Sequence, residues 1–186
     1  MDVSVALRCM DKPTVAAVNG ACAGAGLSLA CACDIRFAAD TALFRSAFVS
    51  AGLSGDFGST WLLPRIVGSA KARELCLLNK KIKASEALII GLCSAVIPAK
   101  NFLSRVLEEV APMATAAPLA LRRMKQNLND ADSQLSFSAA LDGEADRHVR
   151  TAFHVDAMEA GLAFMQKRAP VFVGIGEREP WERGKL

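Results

Sequence analysis

The sequence predicts an α/β protein, and three observations support this prediction. Residues 14–18 (TVAAV) form a short apolar run bounded by Pro13 and the turn dipeptide Asn19-Gly20, which is typical of a strand buried on both faces. Residues 24–33 are rich in alanine and leucine and predict a buried helix. Short strand and helix patterns then alternate as far as Ile97, and the patterns beyond that residue are helical.

The other elements follow in chain order. A short helix-like stretch, DVSVALRCM, precedes the first strand. Further strands are predicted over residues 35–38, 42–45 and 95–97, and helices over residues 59–66, 70–78, 85–92, 101–116, 119–128, 136–151 and 156–167. The last helix opens with Asp156 and Glu159 at the spacing of a capping box. Its apolar stripe of Met158, Leu162 and Met165 indicates a core or subunit contact.

Composition and charge exclude two kinds of partner. With 52% hydrophobic and 22% charged residues, the 186-residue chain has the composition of a soluble globular domain with a real core. The net charge of +3 and the lack of a basic run indicate no nucleic-acid binding. The uncharged stretch from Pro13 to Cys33 is long enough to cross a bilayer, but Asn19-Gly20 would break a spanning helix in its middle. We therefore expect no membrane partner.

The six cysteines are predicted to be reduced thiols. Most of them lie in apolar segments, where a thiol behaves as a small hydrophobic group, and the sequence opens without a signal-peptide pattern. Both observations favour a reducing, cytoplasmic compartment. Cys31 and Cys33 could clip a metal ion, but no second Cys/His pair stands at zinc-site spacing, so no metal site is expected.

A turn of small residues joins the first strand to the buried helix. Small residues let a ligand approach the backbone, and the free N–H groups of a helix N-terminus stabilise negative charge. A dinucleotide pyrophosphate is one such ligand, but Leu29 stands where the third glycine of G-x-G-x-x-G would follow Gly24 and Gly26. A carbonyl oxygen that becomes an enolate is the other, because a backbone N–H can form half of an oxyanion hole. The glycines are also compatible with close helix packing alone.

Four segments together closely resemble the enoyl-CoA hydratase/isomerase (crotonase) family. They are KPTVAAVNGACAGAGLSLACACDIRFA, ALFRSAFVSAGLSGDFGSTWLLPRIVG, ASEALIIGLCSAVIP and MEAGLAFMQKRAPVFVG, and they keep the family's order and spacing from about Lys12 to Gly174. The resemblance implies a spiral of β-β-α turns followed by a helical trimerisation region. It also implies action on acyl-CoA thioesters without a metal or redox cofactor, coenzyme A being part of the substrate.

The resemblance assigns an oxyanion-hole N–H to Ala25, the middle residue of the Gly-x-Gly turn, with Ala23 and Gly24 beside it among the substrate-binding residues. Because the donor is a backbone group, alanine can serve there as glycine does. Hydratases of the family have catalytic glutamates at the two positions that Ser28 and Phe48 hold here. Neither side chain can activate water as a carboxylate would, which argues against ordinary hydration.

Asp56 is a carboxylate in the region where the resemblance expects the catalytic acids. The family's dienoyl-CoA isomerases and epoxyphenylacetyl-CoA isomerases have an aspartate at the matching place, so the resemblance implies that Asp56 carries the proton. Leu53, Phe48 and Phe57 could desolvate Asp56 and raise its pKa, and Ser28, Phe48 and Phe57 are expected to bind substrate. An aspartate just before a helix is also an ordinary N-cap.

The last helix resembles the family segment that contacts coenzyme A across a subunit boundary. The matching residues are Phe164 and Lys167, and a solvated helix end is the alternative. His148 and His154 are predicted to be structural. The resemblance divides the chain into a spiral core (1–98), a helical oligomerisation region (99–174) and a C-terminal tail (175–186), assembled as a homotrimer or hexamer.

Family members have further strand-helix turns before the strand that follows Lys12, including the other oxyanion donor, so the resemblance implies an N-terminally truncated spiral. The expected reaction is an enolate-stabilised proton shift on an enoyl-CoA or related acyl-CoA, within fatty-acid or aromatic-acid degradation. Two alternatives stay open. One is a catalytically inert or truncated subunit that serves as an oligomer partner, and the other is an enoyl-CoA hydratase.

Overall fold

The structure, a computed structural model, describes residues 2–133 and 136–174. The predicted C-terminal tail (175–186) lies outside the described residues. The chain divides into two compact units, residues 1–110 and 111–186. The assignment of residues 1–98 to a spiral core and 99–174 to an oligomerisation region stays a prediction.

The described residues form short strands and helices of varied length. The strands are β1 (Val15–Val18), β2 (Ala21–Ala23), β3 (Ile35–Ala39), β4 (Leu43–Arg45), β5 (Ile82–Lys83) and β6 (Ala95–Ile97). The helices are α1 (Asp2–Cys9), α2 (Ala25–Ala32), α3 (Ser59–Val67), α4 (Ser69–Leu77), α5 (Ala84–Ile89), α6 (Phe102–Ala114), α7 (Pro118–Ser133), α8 (Phe137–Ala152) and α9 (Val155–Met165). Every strand and helix that the sequence predicts is present, with ends that shift by a few residues.

The strands of the first unit form two three-stranded sheets, and the chain alternates between them. One sheet has the order β1-β3-β6 and is parallel throughout, with Val15 opposite Ile35. The other has the order β2-β4-β5, in which β2 and β4 are parallel and β5 is antiparallel to β4. Each passage of the chain adds one strand to each sheet, first β1 and β2 and then β3 and β4. This repeat is the predicted spiral of β-β-α turns, and β1 and β2 lie at the edges of their sheets.

The core of the first unit lies where the helices pack against these sheets. Phe44, Leu63, Ile82 and Leu92 are almost completely buried there. Burying a side chain of this size stabilises the fold by about 1.5–3 kcal/mol. Because α2 packs against both α1 and α3, the turn before α2 and the loop before α3 belong to one packed assembly.

All six cysteines lie among the described residues and none is in a disulfide; three pack in the interior as small hydrophobic groups, whereas Cys9 is exposed. Cys22, Cys31 and Cys93 are buried. Burial raises the pKa of the Cys22 thiol to about 11 and that of the Cys31 thiol to about 12. Among the described residues, no helix has the length and apolar character that a bilayer crossing requires.

Two strands, β2 and β5, have no counterpart among the predicted elements. The three residues of β2 (Ala-Cys-Ala) have little intrinsic strand preference. Their extended conformation comes from parallel pairing with β4, which places Cys22 opposite Phe44. The two residues of β5 likewise pair with β4. Tertiary pairing therefore decides these elements, and a local pattern does not show it.

In the second unit, α7 packs against α8 and α8 against α9. The predicted capping box of α9 is wrong, because the N-cap is His154, whose Nδ1 accepts a hydrogen bond from the Asp156 N–H at 3.2 Å. Glu159 turns to Arg168 and the Val171 N–H instead.

The predicted apolar stripe of α9 is a second point of difference. Met158, Leu162 and Met165 are exposed in the single chain, so they do not form a core. Their role as a subunit contact stays a prediction.

Candidate active site

The turn between β2 and α2 depends on a glycine. Gly24 has φ 53° and ψ −123°, a backbone conformation that a residue with a Cβ atom rarely adopts. Its N–H donates to the Arg45 carbonyl oxygen at 3.1 Å, which fixes the turn to the end of β4. A Cβ atom at Gly24 would lie 3.8 Å from the Ser46 carbonyl oxygen. The turn thus presents the N-terminus of α2, with Ala25 half-buried and Gly26 exposed.

Ser28 holds this turn from inside the helix. The side chain is fully buried, and its hydroxyl donates to the Gly24 carbonyl oxygen at 3.2 Å. The Ser28 N–H donates to the same oxygen at 3.1 Å. That carbonyl belongs to the peptide group whose N–H is the Ala25 N–H, so both bonds fix the orientation of the predicted oxyanion donor. Direct contact of Ser28 with a substrate stays a prediction.

The connection between β4 and α3 carries the other predicted residues. Its second residue, Ala47, has φ 62°, and the Ala47 N–H donates to Asn79 Oδ1 at 2.9 Å. The Arg45 Nε–H donates to the same Asn79 side chain at 3.2 Å. Phe48 follows and is buried, and its carbonyl oxygen accepts the Leu53 N–H at 2.9 Å. An apolar ring therefore occupies the position where the resemblance expects a glutamate in hydratases.

The end of this connection is a strained loop, defined here as Gly55–Gly58. Three of its four residues have positive φ angles: 120° at Gly55, 52° at Phe57 and 77° at Gly58. A Cβ atom at Gly55 would lie 3.3 Å from Ser59 Oγ and 3.4 Å from Thr60 Cγ2, so a side chain there would also press against Ser59. Left-handed residues other than glycine cost about 1–3 kcal/mol each and cluster at functional sites.

Asp56 lies inside the strained loop. Its side chain is exposed, and Oδ1 accepts the Phe57 N–H at 2.7 Å. The Phe57 carbonyl oxygen in turn accepts a hydrogen bond from Ser4 Oγ at 2.9 Å. The N-cap of α3 is Gly58, so the alternative interpretation of Asp56 as the cap of this helix is wrong. Leu53 is 61% exposed, and the described residues do not form the apolar shelter expected around the carboxylate.

Phe164 and Lys167 lie in the second unit, at and just after the end of α9. Phe164 is 85% exposed, and Lys167 has φ 53°. Next to Lys167, Arg168 forms a bidentate ion pair with Glu159, with N–O distances of 2.5 and 2.8 Å. This ion pair and the Val171 N–H lower the pKa of Glu159 to about 2. The contact of Phe164 and Lys167 with coenzyme A stays a prediction.

A cleft of about 360 Å³ lies elsewhere in the first unit. Its lining comes from α1, β1, β2, α2 and the residues next to them, including Leu7, Val18, Cys22 and Leu29. None of the predicted site residues lines this cleft, and neither does a carboxylate. Apart from Asn19, a ligand there would meet small or apolar residues, none of which can carry a proton as a carboxylate does, so we do not assign the cleft to the chemistry. Within the described part of the chain, no cluster of His, Cys, Asp or Glu could hold a metal ion.

Three residues of this arrangement were not predicted. Asn79 has φ 52° after α4, and Asn is a residue that ends helices in this conformation, so its backbone role had a sequence signal. Asn79 also contacts Ala47, and Ser4 contacts Phe57. These contacts link residues far apart in the chain, so no sequence signal indicates them. Gly55 could have been singled out only as a turn residue.

Comparison with known proteins finds similarity to one protein family over nearly the whole chain. Residues 2–175 match the family model described as enoyl-CoA hydratase/isomerase. The chain is 36% identical to 1,2-epoxyphenylacetyl-CoA isomerase from Escherichia coli, over 89% of this chain and 63% of that protein. It is also 36% identical to short-chain enoyl-CoA hydratase from Clostridium acetobutylicum, over 87% of this chain and 62% of that protein.

Comparison of the fold with solved structures finds the same family. The crystal structure of an enoyl-CoA hydratase from a Polaromonas species superposes with a TM-score of 0.86 at 38% identity, covering 91% of this chain and 65% of that one. The chain therefore spans less than two thirds of the length of these relatives.

Proposed function

Because the chain belongs to the enoyl-CoA hydratase/isomerase (crotonase) family, we propose that it acts on an enoyl-CoA or related acyl-CoA thioester. The reaction is a proton shift that passes through an enolate. A shift of this kind moves a double bond and a proton without net oxidation and without adding water. It therefore requires neither a metal ion nor a redox cofactor, and coenzyme A enters only as part of the substrate.

The backbone N–H of Ala25 would stabilise the enolate. In the proposed step the thioester carbonyl oxygen accepts this N–H, and the oxygen takes up negative charge as a proton leaves the neighbouring carbon. A donor at the N-terminus of α2 lies where the helix dipole favours negative charge. Ser28 supports this arrangement by bonding the carbonyl of the same peptide group, since a bonded chain of peptide dipoles strengthens each donor.

Asp56 would carry the proton, and the strained loop is the observation on which this assignment depends. An exposed carboxylate makes little contribution to a core, yet the residue that follows it, Phe57, is held in a costly left-handed conformation between two glycines with positive φ. Such strain is retained where it fixes a group for function. The carboxylate accepts the proton from the carbon next to the carbonyl, and then returns it to the far end of the displaced double bond.

Isomerisation is proposed over hydration because positions 28 and 48 lack the carboxylates that hydration would use. Adding water requires a group that activates the water and a group that protonates carbon. Ser28 is buried and bonded within its helix, and Phe48 is an apolar ring. The two named relatives divide on the same question, one an isomerase and the other a hydratase. Fatty-acid and aromatic-acid degradation are the settings in which such thioesters arise.

A homotrimer or hexamer is part of the proposal. The second unit exposes large apolar side chains on and next to α8 and α9, among them Phe137, Phe153 and Phe164. Large apolar side chains left exposed in this number are expected to be covered at a subunit interface. Across that interface Lys167 and Phe164 would contact coenzyme A. The free thiols support a reducing, cytoplasmic compartment.

A catalytically inert subunit is the second candidate function. The same exposed apolar side chains favour it, because they would hold an oligomer together whether or not the site turns over.

One experiment separates the three possibilities. Acyl-CoA and enoyl-CoA thioesters are incubated with the protein in D₂O, and nuclear magnetic resonance follows deuterium at the carbon next to the carbonyl, double-bond position and water addition. Deuterium uptake with double-bond migration supports the proposal. Water addition at a comparable rate would replace it with hydration, and no reaction of any kind would leave the inert subunit.

A further inference from the structure

We propose that Ser4, on α1, is a positioning residue for Asp56. This inference rests on the proposed function, because it concerns how the strained loop holds the carboxylate that would carry the proton. Ser4 would act through the backbone of Phe57 and would not touch the substrate itself.

The contact is a partly buried hydrogen bond between distant parts of the chain. Ser4 is 9% exposed, and its hydroxyl donates to the Phe57 carbonyl oxygen at 2.9 Å, across 53 positions of sequence. A serine on an outer helix needs no buried partner, since a hydroxyl can bond its own helix or water. Here the hydroxyl reaches instead to the residue that follows Asp56.

The same face of α1 makes a second contact with the element that follows the loop. Arg8 lies four residues after Ser4, one helical turn away, and its guanidinium lies 4.7 Å from the Trp61 ring centroid in α3. Val3 and Val5, each about 100° around the helix from Ser4, are exposed. The helix therefore docks through the side that carries Ser4 and Arg8, and it contacts both the strained loop and the start of α3.

The strain at Phe57 explains why the bond matters. Phe57 has φ 52°, and its two backbone groups are both engaged: Asp56 Oδ1 accepts its N–H and Ser4 donates to its carbonyl oxygen. Without Ser4, the following peptide can rotate away from the left-handed conformation. Because relaxation of φ at Phe57 turns the peptide after Phe57 relative to the peptide before it, which carries the Phe57 N–H, the Asp56 carboxylate bonded to that N–H would lose its fixed direction.

The first test measures the loop alone and does not depend on activity. Hydrogen exchange with mass spectrometry compares the wild type with Ser4→Ala, Ser4→Thr and a control, Ser104→Ala, which removes an exposed serine that donates to the Asn101 carbonyl oxygen. We expect peptides covering residues 53–59 to exchange about fivefold faster in Ser4→Ala, the effect of losing one hydrogen bond. Threonine should restore protection, and Ser104→Ala should leave it unchanged. Equal exchange in all four proteins would overturn the inference.

The second test asks whether the hydrogen bond from Ser4 to Phe57 affects the reaction rate. The rate of deuterium uptake into an acyl-CoA is measured for Ser4→Ala in the wild-type and in the Asp56→Asn background. If Ser4 acts through Asp56, Ser4→Ala lowers the rate about tenfold in the first background and not in the second. An equal loss in both would show a general structural role and refute positioning. A wild type without deuterium uptake would refute the proposed function, while the hydrogen-exchange result would still decide whether Ser4 holds the loop.

Discussion

Replacing Asp56 by asparagine separates the proton from the hydrogen bond. In the structure the carboxylate does one visible thing, which is to accept the Phe57 N–H at 2.7 Å. The Oδ1 atom of asparagine can accept the same N–H, so the strained loop keeps its conformation. A neutral acceptor in place of a charged one at an exposed site should cost less than about 1 kcal/mol of unfolding free energy. For a chain of this size that is a fall in Tm of about 2–4 °C at most.

The effect on turnover should be far larger. A positioned acid or base contributes about 10²- to 10⁴-fold to a rate, equivalent to about 3–5 kcal/mol of activation free energy. Asp56→Asn should therefore lower deuterium uptake into an acyl-CoA by at least about a hundredfold while thermal melting barely changes. Asp56→Ala serves as the comparison, because it removes both the proton carrier and the acceptor for Phe57. If Asp56→Asn kept activity within about threefold of the wild type, Asp56 would not be the proton carrier.

Three further changes test other parts of the site and fold. Ala25→Gly should be nearly silent, whereas Ala25→Pro removes the N–H donor and should lower the rate about a hundredfold or more; equal rates in variants that circular dichroism shows to be folded would exclude the oxyanion assignment. Gly55→Ala should lower the unfolding free energy by about 1–3 kcal/mol in urea titration, because of its φ of 120° and the close Ser59 Oγ, while Gly20→Ala, with nothing within 4 Å, should be tolerated. The raised pKa values of Cys22 and Cys31 predict that stability falls as the pH rises above about 9, where unfolded thiols ionise and the buried ones do not; replacing Cys31 by alanine should flatten that fall, and an unchanged slope would show that this thiol is not its source.

Most strands and helices could be predicted from the sequence because they depend on local patterns. The strand before Asn19-Gly20, the glycines around Ala25 and the helices beyond Ile97 each have a pattern that can be read from neighbouring residues. The resemblance then supplied the spiral that joins them, and the two sheets have the expected arrangement.

The features that the sequence did not predict depend on distant partners. Phe57 has a left-handed conformation that its residue type does not favour, and Ser4, on another helix, holds its carbonyl. Similarly, the spacing of Asp156 and Glu159 fits a capping box, but Arg168 provides Glu159 with a stronger partner than a backbone N–H. A side chain that can satisfy either a local or a distant group goes to the stronger one, and sequence spacing shows only the local choice.

The segment after α9 turns back along the helix, and two carboxylates of α9 hold its backbone. The Val171 N–H donates to Glu159 and the Val173 N–H to Asp156, each at 2.9 Å, so alternate residues of the segment meet side chains one helical turn apart. Lys167 lies at the corner where the direction reverses. A lysine in a loose terminal segment would lose backbone freedom, about 1–2 kcal/mol per residue, each time its ammonium ion bound an anion. Here folding has already removed that freedom, so an anion that met Lys167 would restrict only the side chain.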